Sequence, residues 1–264
     1  MATWGAIALA VALVAAIIGY LETRKRRTMA QTATLACSEL RREAEAGGPG
    51  GFKTVCEVDG KAAPGPGGAL TAPFSTGDCV WHRSTVTHHY WEMKRDSDGD
   101  RRRVEGQRAV SEDQSQEPFL LDDGTGTILV QPRGEQPDGA PKVHSHFEKD
   151  EEAAATGYPA LASLGNFVAK VAGGAAAFGR SSGTLGYEFE EWAVRPGDRL
   201  YVLGEVTTDG ERLVMGSPTG RDFVISLRSE QELARDSLFL ERLLYGASGV
   251  LALLGAGLLT AGLS

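Results

Sequence analysis

FLLDDGTGTILVQP, residues Phe119 to Pro132, reads two ways. Asp122-Asp123-Gly124-Thr125-Gly126-Thr127 is either a loop that cradles a phosphate or a metal, or the tight turn between two strands. A phosphate loop of the G-x-x-x-x-G-K-[ST] type needs a lysine and a following helix, so that backbone amides face the anion. Here there is no lysine, and Ile128, Leu129 and Val130 continue as a strand. A calcium loop needs more oxygens at set spacing than Asp122 and Asp123 supply. Asp-Gly between two apolar runs is a hairpin signal. The stretch therefore predicts a β-hairpin, with Asp122 and Asp123 kept as candidate contacts for a weakly held cation or ligand.

Outward from this hairpin the pattern stays β. CVWHRSTVTHHYWEMKR (79–95) is rich in Val, Thr, Tyr and Trp and predicts one long strand or two. DSDGD (96–100) turns it, RRRVEGQRAV (101–110) returns, and KVHSHFE (142–148) adds a further strand. Upstream, FKTVCEV (52–58) places Val55 and Val58 in a core, and APGPGG (63–68) is a turning loop. Downstream, YEFEEWAV (187–194) sets Glu188 and Glu190 outward and Phe189 inward. RPGDRLYVLGEVTTDGERLVMG (195–216) reads as a hairpin, and FVISL (223–227) as the last strand. Strands of this number must hide their edges, and a small closed barrel does so. The fold class is thus mainly β, an OB-like barrel over residues 52–228, with a β-sandwich as the alternative.

Three segments in the centre read as helix. Residues 28–46 carry Leu35, Leu40 and Ala44 on one side and a charged face opposite, and GGPGG ends them. Residues 229–242 open with Ser229 and Glu232 in a capping-box pattern. Within the Gly- and Ala-rich insertion 157–186, Leu161, Leu164, Val168, Val171, Ala175 and Phe178 step by the 3-4 rhythm of one helix face. That face either folds back as core or lies on a bilayer, and on the second reading Leu164 and Val168 are lipid-binding candidates.

Charge is distributed unevenly over the 264 residues. Net charge is −8, from 35 acidic and 27 basic side chains, yet residues 1–21 and 243–264 contain no Asp, Glu, Lys or Arg. WGAIALAVALVAAIIGYL (4–21) is roughly 27 Å long as a helix, and LLYGASGVLALLGAGLLTAGL (243–263) is longer; both predict transmembrane helices. A cleaved signal peptide carries its positive charges before the apolar run, whereas Arg24 to Arg27 follow it. Those residues, with Arg235 and Arg242, place the central region in the cytoplasm and both termini outside by the positive-inside rule. The expected partners are the lipid bilayer and a protein at its surface. The acidic balance argues against nucleic acid.

Few residues suggest chemistry, and no cofactor is expected. Cys37, Cys56 and Cys79 form no C-x-x-C pair, so neither a disulfide framework nor a structural zinc site is read from them. Cys79 near His82 is the only cysteine–histidine pairing worth naming, and a small core residue is the plainer reading. His144 and His146 alternate onto one strand face and are weak metal candidates; His82 or His88 supplies a third ligand only if its strand is adjacent. Trp81, Tyr90, Trp91 and Trp192 are expected in the barrel core and rim.

Four ordered blocks carry a family resemblance: CVWHRSTVTHHY (79–90), EPFLLDDGTGTILVQP (117–132), EEWAVRPGDRLYVLGEV (190–206) and FVISLRSEQEL (223–233). Together, over roughly residues 30–240, they resemble the GIDE domain of membrane-anchored E3 ubiquitin ligases of mitochondria and plastids and of shorter bacterial proteins. The Ala-, Gly- and Arg-rich style is most similar to actinobacterial members. The resemblance implies one span before the domain and one after it. In the ligases a C-terminal RING finger, with about eight Cys and His ligands around two zincs, transfers ubiquitin. This sequence has no Cys after Cys79 and no His after His146. The expectation is a membrane-tethered binding or scaffold module without catalysis, the ligase-like transferase standing as the alternative.

Overall fold

The computed structural model describes residues 2–30, 32–47, 51–95, 97, 99–149, 182–219, 223–228, 243–256 and 260. It is mainly β. Helix α1 spans Ala2–Ala30 and α2 spans Cys37–Ala46. Twelve strands follow among the described residues: β1 Lys53–Ala63, β2 Leu70–Thr71, β3 Asp78–Cys79, β4 Trp81–Arg95, β5 Arg101–Gln114, β6 Phe119–Asp122, β7 Thr127–Val130, β8 Lys142–Lys149, β9 Ser182–Val194, β10 Arg199–Asp209, β11 Arg212–Gly216 and β12 Val224–Ser226. Residues 243–256 are helical and are termed α3.

The deciding stretch is a hairpin. Phe119 faces Val130, Leu121 faces Ile128 and Asp122 faces Thr127 across β6 and β7. Phe119, Leu121, Ile128 and Val130 are all buried. The largest sheet runs β1-β6-β7-β11-β10-β12, and β1 also pairs with β10, so five of its strands close into a barrel. That selects the barrel over the sandwich.

Strands β4, β5, β8 and β9 do not join this barrel. β5-β4-β9-β8 form a separate four-stranded antiparallel sheet, and β2-β3 a short ribbon. β4 and β5 pair over their whole course from Arg83↔Gln114 to Arg95↔Arg101, and β4 pairs β9 from Trp81↔Val194 to Glu92↔Ser182. Strands this long satisfy one another's backbone groups without closing a small barrel. Glycine admits the bulky aromatics on this sheet: a Cβ on Gly183 would lie 2.6 Å from Trp91 Nε1.

By contact density the chain falls into two compact units, Met1–Gly60 with Asp123–Gly126 and Leu200–Ser264, and Lys61–Asp122 with Thr127–Arg199. The first buries Leu40, Val58, Val202, Val206, Met215 and Ile225; the second buries Trp81, Val86, Phe119, Leu121 and Phe189.

The single helix expected over 28–46 is not formed. α1 continues to Ala30, and the chain is extended before α2 begins at Cys37. Leu35 N donates to Glu57 O at 2.9 Å and Glu57 N donates to Ala33 O at 3.0 Å, with Thr34 bridging Glu57 in parallel. These bonds to β1 hold the connector out of helix.

The terminal helices meet at small residues, which let helix backbones approach closely. Ala12 is 4% exposed and accepts a bond from Ser248 Oγ at 3.0 Å. Thr23 Oγ1 donates to Gly19 O at 2.9 Å and lies 3.5 Å from Tyr245 OH. Among the described residues no helix is long and apolar enough to cross a membrane. The expected helix 229–242 and nearly all of the 157–186 insertion, Leu164 and Val168 included, lie outside the described residues.

Candidate functional site

The Asp122–Thr127 loop binds its own chain. Asp123 Oδ1 accepts from Thr125 N at 2.8 Å and Gly126 N at 3.0 Å, and Thr125 Oγ1 donates to it at 2.9 Å. Its Oδ2 accepts from Cys37 N at 2.7 Å, and Thr125 Oγ1 accepts from Ser38 N at 3.1 Å. The loop thus caps the N-terminus of α2, whose first amides have no partner within the helix. Gly126 permits the approach, since a Cβ there would stand 3.2 Å from Cys37 Cβ. Burial raises the Asp123 pKa, but the amides of Cys37, Thr125 and Gly126 and the Thr125 hydroxyl outweigh it and hold the carboxyl below its ordinary value. Asp123 is a capping residue, its oxygens taken up by the chain's own donors. Asp122 closes the hairpin opposite Thr127 and is exposed.

The other concentration of chemistry lies on one face of the four-stranded sheet. Directly opposed residues share a face, and the registers Ser84↔Glu191↔His144, Val86↔Phe189↔His146 and His88↔Tyr187↔Glu148 run straight across β4, β9 and β8. This face collects His82, His88, His144 and His146. His144 and His146 do share it, with ring centroids 6.4 Å apart. His82 and His88 cannot complete their pair, because β9 lies between β4 and β8. Among the described residues no three His, Cys, Asp or Glu side chains gather as a metal site. His88 Nε2 lies 3.0 Å from Thr184 Oγ1 and its ring stacks on Tyr187 at 5.1 Å. His144 Nε2 and His82 Nδ1 are buried without a hydrogen-bond partner among the described residues.

Glu191 is the residue of this face that the strand pattern passed over. It is fully buried and accepts from Phe74 N at 2.9 Å and Ser75 N at 2.8 Å, fastening the Ala72–Gly77 turn over the sheet. The signal was available: Glu191 has the same parity as inward Phe189. Glu57 was also missed. It is 1% exposed in β1, where its carboxylate accepts from Tyr201 OH at 2.5 Å and from Thr34 Oγ1 at 3.2 Å.

Cys79 is fully buried, and desolvation, then the charges of Glu191 and Asp78, push its thiol up to about 11. Cys56 is pushed to about 12 by burial and by Glu43 and Glu57. The outer face of the sheet is ionic and aromatic. Arg83 and Lys142 lie 5.8 and 5.2 Å from the Trp192 ring, Lys142 pairs with Glu190, and His89 Nε2 meets Glu188 at 3.0 Å.

Neither the curated proteins nor the solved structures compared with the chain gave a match. The GIDE family, described as "E3 Ubiquitin ligase", matches residues 89–260. That stretch takes in the barrel hairpins β6–β7 and β10–β11, strands β8 and β9, and all of α3. It covers more than half of the sequence, and on that match the chain belongs to the GIDE family.

Proposed function

We propose that this GIDE protein is a membrane-tethered binding module, without catalysis of its own, that presents its β units to a protein partner at the bilayer surface. The observation that carries the reading is the inverted polarity of the helix pair. Small residues meet at the contact, while Trp4, Ile7, Leu13 and Val14 of α1 and Val250, Leu253 and Leu254 of α3 are exposed, Leu253 to 78%. Such a surface is unfavourable in water by about 25 cal/mol per Å² and costs nothing in hydrocarbon. The apolar runs of the sequence, 4–21 and 243–263, extend beyond the described side chains at both helices and supply the length of a span. Two anchors keep the domain close to the bilayer and raise its effective concentration for any membrane-bound partner.

The intact chain is expected to stay in the membrane pellet through carbonate extraction; release into the supernatant would end this reading. Cysteines placed at either terminus are expected to react with an impermeant thiol reagent in intact cells, since the positive-inside rule puts the Arg24–Arg27 side in the cytoplasm. The family description favours a second reading, ubiquitin transfer. Purified protein that held zinc and ubiquitinated itself would establish that activity in place of the binding role.

A further inference from the structure

The end of the β4–β5 hairpin is unlike the rest of the sheet. β9 supports β4 as far as Glu92↔Ser182. Beyond that pair, Met93–Arg95 and Arg101–Arg103 form a two-stranded arm among the described residues, and a lone two-stranded ribbon is marginal in water. In the sequence, residues 94–103 carry Lys94, Arg95, Arg101, Arg102 and Arg103 against Asp96, Asp98 and Asp100, on a chain of net charge −8. Arg95 lies directly opposite Arg101, whereas Lys94, which faces Arg102, already pairs with Glu92 at 2.8 Å. The like charges of Arg95 and Arg101 destabilise a hairpin, and an external anionic surface relieves them.

One face of the arm combines this charge with apolar groups. Trp91, Met93, Arg95, Arg101 and Arg103 share it by register. The Arg103 guanidinium sits 5.0 Å over the Trp91 ring, and Met93 is exposed. Glu105 is the one acid among these pairs, and Arg103 neutralises it at 3.2 Å. An indole, a thioether and guanidinium groups side by side suit a bilayer interface, where Trp takes the headgroup level and Arg the phosphates.

We infer that this face of the β4–β5 arm docks on anionic phospholipid. It rests on the membrane-tethered reading for its setting, although the residues that carry it are separate from the terminal helices. An acidic protein is the competing occupant and forms one outcome of the test.

Met93→Cys, labelled with an environment-sensitive fluorophore, reports on the arm; the native cysteines described above are buried. The full labelled chain is placed in nanodiscs of phosphatidylcholine alone, and of phosphatidylcholine with phosphatidylglycerol. A blue shift is expected only with the anionic lipid, reversed by raised salt. It should also be lost in the Arg95→Gln/Arg101→Gln/Arg103→Gln variant, by roughly fivefold in lipid partition per residue. Unchanged thermal unfolding of that variant shows that it folds. Identical emission in both lipids overturns the inference, and a shift produced only by an added acidic protein reassigns the face. If the chain does not co-elute with the nanodiscs, the anchor reading fails on its own. Flotation of the labelled chain with phosphatidylglycerol vesicles then decides the arm separately, a shift supporting it and none overturning it.

Discussion

At the scale of the residue, two carboxylates do structural work that their exposed neighbours do not. Asp123 closes its own turn and caps α2. Asp123→Ala is expected to cost about 1–2 kcal/mol at neutral pH, read by denaturant unfolding of the full chain in detergent. The folded carboxyl lies below its ordinary value. Its contribution is therefore complete above the unfolded pKa of about 3.9 and is lost as pH falls through the lower folded value. The gap between wild type and variant should close in acid, and a gap that persists there would contradict the charge-based account. Glu191 is buried and holds two amides. Glu191→Ala is expected to destabilise by about 3 kcal/mol, and Glu191→Gln by less, since one acceptor oxygen remains. Hydrogen exchange at Phe74 and Ser75 should rise in step with these losses; exchange that does not change would remove Glu191 from its fastening role.

At the scale of the element, strand β10 is packed so closely that one position admits no side chain. A Cβ on Gly204 would meet Met215 Cγ at 2.8 Å, Gly216 O at 2.9 Å and Phe223 Cε2 at 2.9 Å. Gly204→Ala is expected to cost roughly 1–3 kcal/mol by overpacking. Gly216, in the paired strand β11, has nothing within 4 Å of its Cβ position. Gly216→Ala is expected to be neutral or to stabilise by a few tenths of a kcal/mol, about 0.4–1 at most. Equal losses at the two sites, measured by thermal unfolding, would refute the packing argument. The helices follow a related rule. α2 starts at Cys37 rather than at residue 28 because β1 draws the preceding connector into an extended bridge at Thr34.

At the scale of the whole molecule, catalytic groups do not converge among the described residues. The cysteine thiols are buried, two of them titrating well above neutrality, and the histidines of the four-stranded sheet are split between strands that do not adjoin. What stands out instead is surface: apolar side chains turned outward on the paired terminal helices, and the basic, aromatic end of the β4–β5 arm. Ala12→Leu is expected to force those helices apart, because Ala12 is buried against Ser248. Disulfide trapping between cysteines placed at Gly19 and Tyr245, efficient in the parent chain, should then fail; undiminished trapping would mean that the contact does not depend on small residues.

By itself the sequence determined the parts whose cause is local. Asp-Gly between apolar runs made the β6–β7 hairpin, β-branched and aromatic content marked β4, alternation marked β9, uncharged runs marked the terminal helices, and four blocks in order marked the GIDE family. Only the tertiary structure decided what depends on residues far apart in the chain. It divided the strands between a closed barrel and a second sheet, because edge pairing is settled by partners that no local pattern names. It gave Asp123 a helix to cap, because the Cys37 amide that it accepts from is 86 positions away. It buried Glu57 and Glu191, because a carboxylate can leave water wherever distant hydroxyls or amides replace its hydration.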